Sequence, residues 1–252
     1  MDDRFVQAFS HWFTISSNLL LIIGVIYFIK LPKVKRANIH YWLIFLILAF
    51  NVGYETMGAY LNYNSEFNRS VNAYLGNTEY PRFNLWLFNI ARRQVEVILY
   101  LLLIKSFLVP SMRKYIDRMI LVFIPIVCIL QFSGIEPLYL NQPIIFSIGA
   151  NMILIGSGLY FIGLITEEQY LACDPLRLPS FWQMTFIMFT FTLTYISSVA
   201  LMYLYQVNPV LGKALQDIGI ALELLTLGVF TLSIASPLLP RIFEKEPSYG
   251  TN

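Results

Sequence analysis

Seven stretches of mostly apolar residues follow one another along this 252-residue chain, at roughly 10–30, 40–61, 84–108, 117–134, 143–165, 181–206 and 214–237. A helix needs about 20 apolar residues to cross the ~30 Å core of a bilayer, and these runs have that length. Within lipid every backbone N–H and C=O must be satisfied internally, which leaves helices and closed barrels. Runs this long are helical. The expected fold class is therefore all-α: a polytopic seven-helix membrane bundle, one domain over 1–252, without internal repeats. Charged residues make up 13% of the chain, against about 25% in a soluble protein. So little polar surface predicts a lipid bilayer as the main solvent and a cell membrane as the location. The fourth run is the shortest and contains Pro125, which neighbouring helices can accommodate.

The connections share one character. "KLPKVKRANI" and "VPSMRKYIDR" combine proline with basic residues, and "TEEQYLACDPLRLPS" is polar with two prolines. The longest loop, 62–83, is rich in Asn, Tyr and Ser. Orientation follows from lysine and arginine, which favour the cytoplasmic side. With the amino terminus outside, eleven of the seventeen basic residues fall inside and four, Arg4, Arg69, Arg82 and Lys213, outside. The start, "MDDRFVQAFS", has no basic segment and no small-residue cleavage pattern, so the first helix is expected to act as its own insertion signal. Gly149, Gly156 and Gly163 recur every seven residues. They predict a face of the fifth helix on which neighbours approach closely.

Two arginines remain, and they lie inside the third run, "NIARRQVEVILYLLLIKSFL". At 1.5 Å per residue Arg92 lies about 9 Å below the outer boundary, with Glu55 of the second run at about the same level. Glu223 lies deeper in the seventh run, and Asp217 lies above it. Asn51, Asn151, Ser17, Asn18, Gln131, Ser197, Ser198, Tyr203 and Gln216 also fall in outer halves, whereas the inner halves are mostly Leu, Ile, Phe and Val. A charge in mid-membrane costs ~2.5–3.5 kcal/mol on insertion scales and normally turns inward to a partner. Spacing by four predicts an Arg92–Glu96 pair and puts Asn51 and Glu55 on one face. Gln216 and Glu223 share a face of the seventh helix. Counting Glu55, Glu96 and Glu223 against Arg92 and Arg93 leaves one carboxylate over, which we assign to Glu223. The expected site is thus a polar cavity in the outer half, built from Glu55, Arg92, Arg93, Glu96, Asp217, Glu223, Asn51 and Asn151. The competing reading has Arg92 and Arg93 reaching up to headgroups, the pairs only fixing helix register, and the Asn and Ser side chains serving as interhelical bonds. Trp12, Trp42, Trp86 and Trp182 lie near run ends, as interfacial residues do.

Several chemistries lack their residues. The last run has no lysine for a retinal Schiff base, and "KSFLVP" and "SIASPLLP" stand where rhodopsin-like receptors carry their motifs. His11 and His40 lie near opposite faces, too few and too far apart for zinc or haem. Cys128 and Cys173 form no disulfide or metal framework. "EEQYLA" has Ala172 where a prenyl-protease motif needs arginine. No enzyme, cofactor or metal is expected, and a net charge of +2 without a basic cluster predicts no nucleic-acid partner. "NRS" at 68–70 fits a glycosylation sequon on the outer side.

"DPLRLPSFWQMTFIMFTFTLTYISS", with Pro179, Phe181, Trp182, Tyr195 and Ser197, resembles a pattern in uncharacterised multi-span membrane proteins of bacteria. The overall plan resembles the membrane modules of seven-span sensor kinases. That resemblance implies a sensing or signalling role. Only "PRIFEKEPSYGTN" follows the last run, so the output would pass to a separate cytoplasmic partner, through loops 31–38 and 166–180. The reading is a sensor-like module taking a small-molecule ligand from the outer side. The alternatives are a small proton-coupled transporter with Glu223 and Glu55 as protonation sites, or a structural membrane subunit.

Overall fold

Four long helices begin with proline at their first position: Pro110, Pro143, Pro179 and Pro209. Proline costs nothing there, because the first N–H of a helix has no partner and the ring presets φ. The computed structural model describes residues 9–247, except the side chains of 198, 199, 201, 202 and 205. Arg4 and the first eight residues therefore lie outside the described residues. Helices α1 (Trp12–Lys30) and α2 (Ile39–Tyr63) come first. Helix α3 is composite, joining Leu85–Ile90, a π turn at Ala91–Val95 and Glu96–Phe107. Then follow α4 (Pro110–Phe132), α5 (Pro143–Thr166), α6 (Pro179–Val207) and α7 (Pro209–Ala235). No strand occurs among the described residues. Among the described residues five helices, α1, α2, α4, α5 and the span Pro209–Leu238, are long and apolar enough to cross a membrane. Helix α4 begins seven residues before the run that sequence suggested and passes through Pro125 without a break.

Each helix packs on its chain neighbours, and α7 closes on α1. Two further contacts, α2 with α7 and α3 with α5, draw an inner ring of α2, α3, α5, α6 and α7. Helices α1 and α4 lie outside it. Accordingly α4 buries Ile116, Phe123 and Val127 and exposes Leu121, Ile129 and Phe132, the last at 90%. On α1, Ile15, Leu19, Ile22, Ile26 and Ile29 form an exposed stripe. Monomeric soluble proteins rarely leave such continuous apolar surface uncovered, and these faces suit lipid. We call the end where α1, α3, α5 and α7 start the amino end, and the opposite one the carboxyl end.

The glycines of α5 separate into two kinds. A Cβ on Gly149 would lie 2.8 Å from Val97 Cγ2, and one on Gly156 would lie 3.1 Å from Ile116 Cδ1. These two let α3 and α4 approach α5 closely. Gly163, the third of the series, meets nothing within 4 Å, so its place in the repeat has no packing role.

The 62–83 loop is ordered by asparagine. It contains a helix, Ser65–Tyr74, started by Asn64, whose side chain accepts from Phe67 N at 3.4 Å. Asn72 Nδ2 donates to Pro81 O at 3.0 Å and Phe83 O at 2.7 Å. Asn77 Nδ2 donates to Asn72 Oδ1 at 2.9 Å, and Gly76 supplies the positive φ of 80° that the turn requires. Asn68 is fully buried; it donates to Arg82 O and accepts from Trp86 Nε1 at 2.7 Å. The sequon at 68–70 is thereby corrected: its asparagine is an internal brace with both amide atoms engaged. Trp86 likewise belongs to this cap.

At the carboxyl end the tail folds back over the bundle. Glu246 accepts from Ser180 N at 2.7 Å and Ser180 Oγ at 2.8 Å, capping the first turn of α6, where a carboxylate suits the helix dipole. Arg177 pairs with Glu244 at 2.9 Å, and Glu244 N donates to Arg177 O at 2.9 Å. Between tail and helices lies a cavity of about 270 Å³ touching Lys35, His40, Tyr41 and Gln183.

Candidate functional site

The π turn lies where α3 carries its two arginines, "ARRQV". A π turn closes i→i+5 bonds, so it holds one more residue than an α turn. The α-helical spacing of four therefore no longer decides which side chains share a face. Arg92 turns towards α7, where its Nη2 meets Glu223 Oε2 at 2.7 Å. Glu96 turns towards α2 and is 5% exposed, with Tyr54 Oη donating to its Oε2 at 3.4 Å. Two expectations are corrected here: Arg92 is bonded to Glu223 and not to Glu96, and Glu223 is not the carboxylate left over.

The remaining polar residues of this half-helix hold the α4–α5 connection. Asn89 Nδ2 donates to Leu138 O and Leu140 O, both at 2.6 Å. Arg93 Nη2 donates to Asn141 Oδ1 at 2.6 Å, and Gln94 Nε2 donates to Gln142 Oε1 at 3.3 Å. Glu136 accepts from Ile144 N at 2.6 Å and Ile145 N at 2.8 Å, which satisfies the start of α5. Arg93 also lies over the Phe146 ring, 5.9 Å from its centre, close enough for a cation–π contact.

Above the Arg92–Glu223 pair, a cavity of about 730 Å³ opens between α3, α5, α6 and α7. Its size is typical of small-molecule sites, ~300–1,000 Å³. Its floor is the ion pair with Thr194, its apolar walls are Phe88, Phe146, Leu215 and Ile220, and its polar rim includes Asn141, Gln206 and Gln216. Below the pair lies a void of about 10 Å³ bordered by Asn51, Glu96, Tyr100 and Phe191. There Asn51 Nδ2 donates to Tyr100 Oη at 3.2 Å. The hydroxyls of Thr190 and Thr226, 2.9 Å apart, join α6 to α7 at this level. Further down, Leu101, Ile104, Ile187, Phe230 and Ile234 are fully buried. Polar lining thus gives way to hydrocarbon within the bundle.

Of the eight residues named from sequence, Arg92, Arg93 and Glu223 line the cavity, and Asn51 and Glu96 border the void beneath it. Glu55 lies in the field of Arg92 and Glu223 but makes no ion pair among the described residues. Asp217 and Asn151 are exposed, and Asn151 Nδ2 bonds its own helix at Ser147 O, 2.8 Å. Neither joins the cluster. Their helix faces point elsewhere. Ser197 lines the cavity, whereas the Ser198 side chain lies outside the described residues. Asn18 is interhelical, its Nδ2 donating to Thr56 Oγ1 at 3.1 Å. Sequence reasoning missed Tyr54, Tyr100, Asn141 and Phe146, which come together only through the fold.

Comparison of the chain with family models, curated proteins and solved structures returns no match. The described residues form an all-helical bundle of membrane-type helices with a polar-rimmed cavity at its amino end.

Proposed function

We propose that the chain is a seven-span, receptor-like membrane module whose amino-end cavity faces the outside and takes a small ligand. The observation that carries this reading is the cavity of about 730 Å³ floored by the Arg92–Glu223 pair, above a hydrocarbon-filled lower half. A water-filled or ligand-filled recess explains why charges lie at this depth. On this reading α3 and α6 are spans as well, and the amino terminus is outside, in keeping with the bias of Lys and Arg to the carboxyl end. The chain binds and relays rather than catalyses, and a cytoplasmic partner receives the signal at the carboxyl end. Loop 166–180 already holds the chain's own tail through Arg177 and Ser180, so a partner would compete with that strap.

Access tests the reading. In a Cys128→Ser, Cys173→Ser background, Gly219→Cys on the cavity wall should react with a membrane-impermeant maleimide added outside sealed vesicles. Protection outside with labelling from within would reverse the orientation, and protection from both sides would close the cavity. A proton-coupled carrier is the second reading, favoured by the carboxylates Glu55 and Glu223 around one arginine. In proteoliposomes with an internal pH-sensitive dye, proton flux abolished by Glu223→Gln would establish the carrier and remove the receptor.

A further inference from the structure

We propose that the cavity at the amino end selects an amphipathic monoanion, a carboxylate on a ring or short hydrocarbon body, with Arg93 as its charge partner. This rests on the reading of that cavity as a ligand site and adds the ligand's chemical class. The charge pattern of the lining points to it. Arg92, Arg93 and Glu223 are the charged residues on its walls, and Arg92 is neutralised by Glu223 at 2.7 Å. Arg93 has no carboxylate partner among the described residues. Among the described residues its one hydrogen bond is to the neutral Asn141, and its Nη1 finds no hydrogen-bond partner there. Glu136, whose field reaches Arg93, uses both oxygens on the amides of Ile144 and Ile145. Glu96 lies below Arg92 and is held from α2 by Tyr54.

A cation so placed, on the α5 side of the cavity and in contact with the Phe146 ring, is matched by an oxyanion. Guanidinium presents planar paired donors to a carboxylate, and desolvation strengthens the contact. The rest of the wall is Phe88, Phe146, Leu215 and Ile220, which receives an apolar body. A second cation in the ligand would meet Arg93 with like charge, and a neutral alcohol would leave that charge unanswered.

Purified protein in phosphatidylcholine nanodiscs would be titrated with 3-phenylpropionate, 3-phenylpropylamine and 3-phenylpropanol, following thermal stability and affinity. The expected result is stabilisation by the carboxylate alone. Affinity should weaken roughly tenfold to hundredfold in Arg93→Gln, as for loss of a charge-assisted bond, and recover in part in Arg93→Lys. Equal or stronger stabilisation by the amine or alcohol overturns the anion assignment while leaving the cavity a ligand site. A parallel series in phosphatidylglycerol nanodiscs separates the source: stabilisation there without added acid, lost in Arg93→Gln, keeps the anion and identifies it as a lipid headgroup. No shift in any arm overturns the proposal. The maleimide result on Gly219→Cys then says whether the open cavity falls with it.

Discussion

The Arg92 guanidinium on α3 meets the Glu223 carboxylate on α7 at 2.7 Å, with 30% and 13% of the two side chains exposed. The pair joins two members of the inner ring at the depth where the cavity ends and the hydrocarbon core begins. Its loss should therefore register in both stability and binding.

Replacing one partner, as in Arg92→Met or Glu223→Leu, strands the other charge and should cost about 3 kcal/mol, the lower end for partly buried pairs. The double variant should recover most of that loss. Denaturation in detergent gives the coupling through a double-mutant cycle. If Arg92→Met is additive with Glu223→Leu but coupled to Glu96→Gln, the assignment of partners is wrong.

The glycines of α5 give a graded test. Gly149→Ala forces a methyl against Val97, which is fully buried, and overpacking of this kind costs about 1–3 kcal/mol. Gly156→Ala should cost less, because Ile116 Cδ1 is a side-chain tip. Gly163→Ala meets nothing within 4 Å and should leave the melting temperature unchanged. Equal effects at all three would refute the division.

The asparagine cap predicts a contrast within one triplet. Asn68→Ala leaves Trp86 Nε1 and Arg82 O without their partner and should cost about 1–3 kcal/mol. Hydrogen exchange across 64–84 should rise in parallel. Ser70→Ala removes the sequon equally well but loses only an exposed bond to Glu66 O. It should be nearly silent.

Burial raises the Glu246 carboxyl from its ordinary 4.5 to about 7, against the lowering effect of its bonds from Ser180. A group that binds its proton more tightly when docked than when free favours docking at low pH. The tail should be held fully below about pH 4.5, and that contribution should be lost progressively as pH rises to about 7. Amide exchange of 243–246, corrected for intrinsic rates, should therefore be faster at pH 8 than at pH 5. Lys35, His40, Tyr41, Glu244 and Lys245 border the same cavity, so Glu246→Gln is the control. A pH response that survives it belongs to one of those groups.

What could be read in advance followed from chemistry local in sequence. Apolar runs of the right length became helices near the expected bounds, α4 starting earlier at Pro110, because helix formation and apolar burial act on contiguous residues. The pairing of Arg92 with Glu223 was not readable, because the sequence put Glu223 deeper than Arg92 and left it over. Nor was facing. One extra residue in the α3 turn redirected Arg92 from Glu96, and Asn151 and Asp217 lie exposed outside the cluster. The caps that Glu136 and Glu246 place on α5 and α6 depend on chain reversals, and no spacing announces them.

The π turn at Ala91–Val95 also stores slack. Releasing its additional residue would wind the part of α3 towards the amino end by about 100°, the rotation of one residue in an α-helix. Val97 would stay bedded against Gly149 while Arg92, Arg93 and Trp86 swung together. The cavity floor at Arg92, the wall at Arg93 and the asparagine cap at Trp86 are thus mounted on one short shaft, so that a rotation of one would carry the other two.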